Sequence, residues 1–284
     1  MKNSKPTIGF IGQGWIGKNY ADNFEERGYK VVRYSREEPH IKNKEKIAKC
    51  DIVFIAVPTP TTPKGFSDAI LRKVLPLVGK GKIAVIKSTL LPGTTAKLQK
   101  KNPDIIVLHS PEFLVEATAK HNTDFPDRNI VGIPCDTEKY KKSARRVLDV
   151  MAHAPYELIC SSEEAELVKY GGNCMLYVKV VFTNIFHDLS QKFPRVKYET
   201  VRDAMSADPR IGSTHLDPIH KSGRGAGGHC FIKDFAAFSS LYEKMTKDPH
   251  GTEALRAFEK KNKHLLKTSG KDLDLLRGVY GEEE

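Results

Sequence analysis

The chain has 284 residues, 39% of them hydrophobic and 29% charged, which is the composition of a soluble globular protein long enough for two domains. Lys and Arg outnumber Asp and Glu by 46 to 35, but they are spread along the chain without an arginine-rich block or zinc-finger spacing, so we do not expect nucleic acid as the main partner. No apolar run approaches the roughly 18 residues that span a bilayer, and the first residues lead directly into a predicted strand, so we expect a cytoplasmic protein without a membrane partner.

Short apolar runs alternate with helical patterns over the first half of the chain. The runs are rich in valine and isoleucine and predict buried strands over residues 7–12, 29–35, 51–58, 82–89, 104–110 and 129–134. Segments between them, such as 16–28 and 68–81, are helix-like. This alternation predicts an α/β fold with a doubly wound parallel sheet of the Rossmann type, which we place at residues 1–155.

The glycines after the first predicted strand form the first motif. Gly12, Gly14 and Gly17 stand between a strand and a helix, a spacing that allows a tight turn and brings the backbone and a helix N-terminus close to a pyrophosphate. We therefore expect a bound dinucleotide, contacted by Gly12, Gly14, Trp15, Ile16 and Gly17.

The end of the second predicted strand bears on the type of dinucleotide. It carries Ser35 and Arg36, where such domains usually have an acidic residue for the ribose hydroxyls. A serine followed by an arginine fits a 2′-phosphate, so NADP competes with NAD. Alternatively, Arg36 stacks on the adenine or faces solvent.

A different pattern follows residue 155 and predicts an α-helical domain over residues 156–284. From Ser162 to about Lys192 only Gly171 and Gly172 interrupt the helical signal. Apolar side chains recur there at helical spacing, at Val178, Val181, Phe182, Ile185 and Leu189. A helix that is apolar nearly all round should be buried in its own domain or against a second subunit.

A polar stripe lies on the same predicted helix. Glu166, Lys169 and Asn173 are spaced by three and four residues and therefore share one face. Burying such a stripe is costly unless its members have partners, and a solvated face with a helical ion pair is the alternative.

The stretch SGRGAGGHCFIKD, residues 222–234, concentrates glycine before Cys230. Glycine lets the backbone pass close to a ligand and adopt positive φ, so Gly225 and Gly227 predict a loop that wraps a ligand and presents one thiol. The chain has five cysteines and no CxxC pair, so we expect neither a disulfide framework nor a metal site.

Seven motifs in order make the chain similar to the UDP-glucose/GDP-mannose 6-dehydrogenase family. They are the three glycines at 12, 14 and 17, VPTP at 57–60, KSTLLPGT at 87–94, PEFLVE at 111–116 with PDRNIVG at 126–132, AELVKYGGN at 165–173, DPRIG at 208–212 and GAGGHCFIKD at 225–234.

The resemblance implies NAD-dependent oxidation of the C6 primary alcohol of a nucleotide sugar, such as a UDP-hexose, to the carboxylate in two hydride transfers. Cys230 would attack the intermediate aldehyde, and water would cleave the resulting thioester. Lys169 and Asn173 would stabilise negative charge on the sugar oxygen. The side chains that would position or activate water are Thr89, Glu112 and Asp234, with Glu112 as the expected base.

Further family positions are expected to contact the cofactor or the sugar. For the cofactor, beyond the glycine loop, they are Ser35, Arg36, Val57, Pro58, Thr59, Thr89, Glu116 and Lys233. For the substrate they are Glu112, Phe113, Leu114, Lys169, Asn173, Arg210, Gly225 and Gly227. The resemblance also implies a homodimer formed through the helix over residues 162–192, with Arg210 reaching into the partner's site.

The sequence departs from the family in its C-terminal part. Members usually carry a third, nucleotide-binding domain, whereas only 50 residues follow Asp234 here and they contain no run of predicted buried strands. We therefore expect that this domain is absent, which affects the nucleotide half of the substrate more than the chemistry. The alternatives are a smaller sugar, a non-catalytic dinucleotide-binding sensor or assembly protein, and nucleic-acid binding through the +11 charge, which would be steeply salt-dependent.

Overall fold

A computed structural model describes residues 5–282 of the chain. The chain divides into two compact units. The first contains the residues up to Thr59 and Ser67–Lys169, and the second contains Pro60–Phe66 and the residues from Tyr170 onwards. No helix within residues 5–282 is long and apolar enough to cross a membrane.

The strands, in chain order, are β1 (Ile8–Ile11), β2 (Val31–Tyr34), β3 (Ile52–Ile55), β4 (Thr61–Thr62), β5 (Gly65–Phe66), β6 (Ile83–Ile86), β7 (Ile106–His109), β8 (Arg128–Ile133), β9 (Tyr156–Ser161), β10 (Ile219–His220) and β11 (Gly223–Arg224). The α-helices are α1 (Trp15–Glu26), α2 (Ala69–Val74), α3 (Thr94–Lys101), α4 (Ala119–Asp124), α5 (Glu138–Val150), α6 (Ser162–Ser190), α7 (Tyr198–Ser206), α8 (Gly228–Thr246), α9 (Pro249–Ser269) and α10 (Leu273–Tyr280).

The first unit is built on a mostly parallel sheet that, within the described residues, has seven strands in the order β2-β1-β3-β6-β7-β8-β9. Each of the six predicted apolar runs coincides with one of these strands to within one residue at the start of β8, and the predicted α/β fold is confirmed. Phe10, Phe24 and Phe54 lie in its core, where the rings of Phe10 and Phe54 stack with centroids 5.2 Å apart.

Two strands depart from the predicted parallel arrangement, because β8 runs antiparallel to β7 and β9 runs parallel to β8. Residues 110–127 between them form only a short 3-10 turn and the six-residue α4, which is too little for a crossover that would return to the opposite edge. The chain therefore enters β8 at the edge where β7 ends. The helix α5 then crosses back, and β9 pairs with β8 in parallel.

The second unit is helical apart from two short hairpins. Helix α6 ends in it at Ser190, close to the predicted end at Lys192. Tyr177 of α6 stacks on Phe235 of α8 with ring centroids 3.9 Å apart, and Val181 joins the same buried cluster. The hairpin of β4 and β5 packs against α8, and α10 contacts it as well.

Candidate active site

The glycine loop after β1 is shaped to receive a dinucleotide. Gly12 has φ +93°, and a Cβ there would overlap the carbonyl oxygen of Ala56, while a Cβ at Gly17 would overlap the carbonyl oxygen of Gly12. Gly14, by contrast, faces open space at the N-terminus of α1, where no side chain caps the helix. The tight turn and the open helix N-terminus fit a bound pyrophosphate.

Two side chains of the loop differ in exposure. Trp15 is 40% exposed beside Gly14, whereas Ile16 packs against the core of the first unit. Contacts of both with a cofactor stay predictions.

Ser35 and Arg36 follow the end of β2, at the position where dinucleotide-binding domains usually carry an acidic residue. Ser35 Oγ donates to the carbonyl oxygen of Glu37 over 2.9 Å. Arg36 is exposed and makes no hydrogen bond or ion pair with any other residue in the described range. Its guanidinium is therefore available to an anion, whereas Arg33, earlier on the strand, is held by Asp22 and Glu25.

Hydrogen bonds join the loops that follow β3 and β6. The Ser88 hydroxyl donates to the Val57 carbonyl over 2.6 Å and accepts the Val57 N–H over 3.1 Å. Thr59 Oγ1 donates to the Thr89 carbonyl over 2.8 Å. Thr89 is half-buried and Pro58 is exposed. The VPTP and KST motifs are thus tied together, which fixes the backbone at this edge of the sheet.

A buried ion pair stands at the ends of β6 and β7. Lys87 Nζ lies 3.7 Å from Glu112 Oε2, and the two side chains are only 2% and 5% exposed. Glu112 Oε1 accepts the Leu114 N–H over 2.5 Å, whereas Oε2 has no hydrogen bond to any described residue. Burial lowers the pKa of Lys87, although Glu112 acts in the opposite direction. The Glu112 carboxylate is thus oriented through Oε1, while Oε2 lies beside Lys87 without a hydrogen bond to a described residue.

Lys87 was not assigned a role from the sequence, although it opens the KSTLLPGT motif. The signal that could have identified it is a lysine directly after a buried strand, because a lysine is almost never fully buried without a partner. Its ammonium also lies 4.5 Å from the centroid of the Tyr20 ring. Burial and the neighbouring Glu112 raise the pKa of Tyr20 well above its usual value, so the phenol stays protonated.

A cavity of about 250 Å³ opens beside this ion pair within the first unit. Its walls include Tyr20, Lys87, Glu112, Phe113, Leu114 and Arg128. Two cations face the aromatic ring of Phe113: the Arg128 guanidinium 3.9 Å and the Lys169 ammonium 5.7 Å from its centroid. The cavity thus combines the carboxylates of Glu112 and Asp127 with the cations of Lys87 and Arg128, which suits a polar ligand.

The polar stripe of α6 is not a solvated face. Glu166 is fully buried and accepts hydrogen bonds from the Gly93 N–H (2.6 Å) and from the N–H and hydroxyl of Thr95 (2.8 and 2.6 Å). It therefore caps the N-terminus of α3 from a distant helix, a structural role that its spacing from Lys169 did not reveal. Lys169 is 9% exposed and makes no hydrogen bond or ion pair within the described part of the chain.

His109, at the end of β7, is a buried histidine that the sequence analysis did not single out. Its Nε2 lies 3.2 Å from the Ser88 carbonyl, and its Nδ1 has no hydrogen-bond partner among the described residues. Burial lowers the pKa of His109 to about 3, and the positive charges of Lys87 and Lys169 act in the same direction. The imidazole is therefore neutral, with its proton on Nε2.

We expect this neutral histidine to make the fold sensitive to acid. The unfolded state takes up a proton near the ordinary pKa of about 6.5 but the folded state only near pH 3, so stability is full above pH 6.5 and falls as the pH drops. His109 should contribute a loss of roughly 3 kcal/mol in unfolding free energy between about pH 8 and pH 4. Urea unfolding of the wild type and His109→Gln at both pH values measures this slope. The exposed control His264→Gln should keep the wild-type slope, and a His109→Gln protein that also keeps it would contradict the assignment.

In the second unit, Cys230 is an exposed free cysteine in the first turn of α8. Asp234, one turn further on, is 1% exposed, and each of its oxygens is engaged. Oδ1 pairs with Lys233 Nζ over 2.5 Å, and Oδ2 accepts from Asn173 Nδ2 over 2.6 Å. Asp234 thereby orients the Asn173 amide and the Lys233 ammonium, two of the residues assigned from the resemblance.

The remaining predicted positions are distributed as follows. Arg210 is exposed and pairs with Asp208 over 2.7 Å. Gly225 is buried against α9, and Gly227 is half-buried beside Lys271 and Asp272 in the turn that follows α9. Glu116 begins the short 3-10 helix, and its side chain lies outside the described part of the structure. Among residues 5–282, no three His, Cys, Asp or Glu side chains form a group that could hold a metal ion.

The predicted residues therefore gather in two groups, one in each unit. In the first unit these are the dinucleotide loop, the tied VPTP and KST motifs, Glu112 to Leu114, and Lys169. In the second unit these are Asn173, Cys230, Lys233 and Asp234. The roles of all these side chains stay predictions.

Two domain models of one protein family match this chain. The NAD binding domain of the UDP-glucose/GDP-mannose dehydrogenase family matches residues 35–151, and the central domain of the same family matches residues 163–264.

Curated proteins with similar sequences include the UDP-glucose 6-dehydrogenases of two Rickettsia species. The protein from Rickettsia conorii is 31% identical over 235 residues, which are 79% of this chain and 51% of the relative. The protein from Rickettsia bellii is 28% identical over 261 residues, 88% of this chain and 57% of the relative. The chain therefore spans about half the length of these relatives.

Solved structures resemble the chain over nearly its whole length. A UDP-glucose dehydrogenase from Pyrobaculum islandicum has a TM-score of 0.77 and 26% identity, covering 91% of this chain and 69% of its own. The 3-hydroxyisobutyrate dehydrogenase of Mycobacterium tuberculosis has a TM-score of 0.70 over 98% of this chain and 99% of its own, but at 17% identity this likeness concerns the fold alone. The chain belongs to the UDP-glucose/GDP-mannose dehydrogenase family and carries that family's NAD-binding and central domains.

Proposed function

We propose that this chain oxidises the C6 primary alcohol of a nucleotide sugar, a UDP-hexose, to the carboxylate. The overall reaction consumes the alcohol, two NAD⁺ and one water and yields the carboxylate, two NADH and three protons. NAD, when bound, accepts the hydride in each of the two oxidations.

The exposed thiol of Cys230 is the observation that carries this proposal. A free, exposed cysteine in the first turn of a helix leaves its sulfur accessible to a substrate, and the thiolate is the form that attacks an aldehyde. Attack forms a carbon–sulfur bond and a thiohemiacetal, and loss of the second hydride converts it to a thioester. Water then cleaves that bond, releasing the acid and restoring the thiol.

Lys169 and Asn173 are the residues that we assign to the developing negative charge on the sugar oxygen. Lys169 has no ion-pair partner within the described residues, so its charge is available to a ligand. The Asn173 amide is held by Asp234 and needs no reorganisation when charge appears, which is the condition for effective electrostatic stabilisation.

Glu112 is the base that we assign to thioester hydrolysis. Its Oε1 is fixed by the Leu114 N–H, and its Oε2 carries no hydrogen bond from a described residue and can accept a proton from water. Lys87 Nζ lies 3.7 Å from this same Oε2.

NAD is the cofactor that we propose, with Arg36 able to hold the 2′-phosphate of NADP. We expect Arg36→Ala to lower kcat/KM for NADP by about tenfold, because one charge-assisted phosphate contact is lost, and to leave NAD within about twofold. Initial rates with both cofactors measure the preference, with the exposed Arg145→Ala as the control. An unchanged preference would remove the phosphate role of Arg36.

A homodimer through α6 is the assembly that we propose. Met175, Phe182 and Leu189 recur every seven residues on this helix and are 72%, 54% and 56% exposed. Such a stripe of large apolar side chains marks an interaction surface. We expect Phe182→Asp to convert the dimer to a monomer in sedimentation equilibrium. The control Met245→Asp, at an apolar side chain 74% exposed outside the stripe, should stay dimeric, and a dimeric Phe182→Asp would contradict this interface.

A substrate panel tests the proposed function. Wild type and Cys230→Ser are incubated with UDP- and GDP-sugars and with NAD or NADP, and reduced cofactor is recorded. The proposal expects oxidation of a UDP-hexose that requires Cys230. If free sugars are oxidised instead, the nucleotide assignment is wrong, and if no sugar is oxidised while the dinucleotide binds, the chain acts as a dinucleotide-binding protein without this catalysis.

A further inference from the structure

The glycine-rich loop Gly223–Gly228 is held by two side chains from the C-terminal part of the second unit. Asn262 of α9 pairs with both backbone groups of Ala226: the Ala226 N–H donates to Oδ1 over 2.7 Å, and Nδ2 donates to the Ala226 carbonyl over 3.0 Å. Asp272, in the turn between α9 and α10, accepts the N–H of Gly228 over 2.7 Å. Gly228 is the first residue of α8, so these two side chains hold the backbone at the start of the helix that carries the cysteine.

The close approach of these two side chains explains why the loop needs glycine. A Cβ at Gly225, where φ is +91°, would lie 2.9 Å from Asn262 Oδ1. A Cβ at Gly227 would overlap Asp272 Oδ2. Glycine at these two positions therefore leaves the space that Asn262 and Asp272 occupy, in addition to any contact with a ligand that the glycines make.

A buried lysine also binds the glycine-rich loop. Lys271 is 5% exposed, and its Nζ donates to the carbonyl oxygens of Gly223 and Gly225 over 3.3 and 3.0 Å. Burial lowers the pKa of Lys271, while the adjacent Asp272 raises it.

We propose that Asn262 and Asp272 are positioning residues for Cys230. The thiol itself is exposed and makes no hydrogen bond within the described residues, so its place depends on the backbone of the first turn of α8. Asn262 and Asp272 fix the loop that leads into that turn, which keeps the sulfur at one place when the aldehyde forms. This inference rests on the proposed function of Cys230 and adds residues that act on it through the backbone.

The variant Asn262→Asp separates this role from a general packing role. Its carboxyl group has nearly the shape of the amide, and when protonated it still donates to the Ala226 carbonyl and accepts the Ala226 N–H. When ionised it cannot donate, and its charge faces a carbonyl oxygen. Burial raises the pKa of such a carboxyl group by several units, so the range from about pH 6 to pH 9 covers both forms.

Titratable groups near Asn262 and Asp272 contribute their own pH dependence to this comparison. Tyr177 lies beside Asn262, and burial raises the pKa of its phenol well above the usual value. Burial also raises the pKa of Glu259, and Lys271 stands next to Asp272. The wild type at each pH contains these same groups, so every rate is expressed as the ratio of variant to wild type.

Hydrogen exchange of amides 224–231 and the kcat and KM for UDP-hexose oxidation are the two measurements. At about pH 9 we expect Asn262→Asp to exchange these amides about tenfold faster and to lose about tenfold in kcat with KM little changed, because one buried hydrogen bond is lost. At about pH 6 both ratios should return towards one. The control Lys267→Gln, an exposed change on α9 with the same change in net charge, should match the wild type at both pH values.

Asp272 is tested by a conservative and a truncating variant. Asp272→Asn keeps an oxygen for the Gly228 N–H and should retain kcat within about threefold, whereas Asp272→Ala removes it and should lose about tenfold with faster exchange at Gly228.

Three results would overturn the inference: faster loop exchange with an unchanged kcat, a deficit of Asn262→Asp that is equal at both pH values, or an equal deficit in Lys267→Gln. A wild type whose turnover is independent of Cys230 would overturn the proposed function and this role with it. In that case the exchange data alone would still report whether Asn262 and Asp272 hold the loop.

Discussion

Replacing Cys230 by serine is expected to lower the rate of acid formation from a UDP-hexose by on the order of a thousandfold or more, the scale seen when a nucleophile is removed. A serine hydroxyl is a weak nucleophile at neutral pH and needs a neighbouring base. The nearest carboxylate along the helix, Asp234, is already engaged by Lys233 and Asn173. Quenched reactions analysed for uronic acid measure the loss.

The matched control for this variant is Cys135→Ser. Cys135 is also an exposed free cysteine, but it belongs to the first unit and to none of the seven motifs. It should keep wild-type turnover. If Cys230→Ser formed the acid at a rate close to that of Cys135→Ser, the covalent route would be wrong, and a direct oxidation of the hydrated aldehyde would replace it.

Glu112→Gln is expected to stop the reaction after the second oxidation. The glutamine keeps an oxygen for the Leu114 N–H but cannot take a proton from water, so thioester hydrolysis should slow by about 10² to 10⁴. Reduced cofactor should then appear as a burst, followed by very slow turnover. Intact-mass spectrometry of the quenched protein should find the sugar acid attached to Cys230.

The buried partner of Glu112 requires a second variant. Glu112→Gln leaves the Lys87 ammonium without its carboxylate, a change that destabilises a buried pair by about 3–5 kcal/mol. The double variant with Lys87→Met removes this unpaired charge and should show the same burst and adduct in a stably folded protein. The exposed control Glu45→Gln should turn over normally, and hydrolysis at the wild-type rate in the double variant would exclude Glu112 as the base.

The parts of the fold that were predicted depend on short stretches of sequence. Gly12 and Gly17 occupy positions where a Cβ would overlap a backbone oxygen. Only glycine fits there, so the dinucleotide loop could be recognised from its glycine spacing. The apolar runs likewise predicted the strands, because a buried strand needs apolar side chains within its own short stretch of sequence. The direction of β8 was missed because it depends on the length of the connection from β7, not on the strand's own residues.

Roles that depend on distant partners were not predictable from spacing. Glu166 shares a helix face with Lys169, but its partners Gly93 and Thr95 lie at the N-terminus of α3, more than 70 residues earlier. The glycines before Cys230 suggested room for a ligand, whereas two of them face Asn262 and Asp272 from the C-terminal part of the chain. A pattern along the chain indicates that a position is constrained, and only the folded structure shows which contact constrains it.

The ratio of reduced cofactor formed to UDP-hexose consumed is the measurement that tests the account most directly. With limiting UDP-hexose and excess NAD, the proposed reaction produces two NADH for each carboxylate, and a rapidly quenched sample contains a thioester at Cys230. A ratio of one with free aldehyde as the product, or a ratio of two with no dependence on Cys230, would contradict the account.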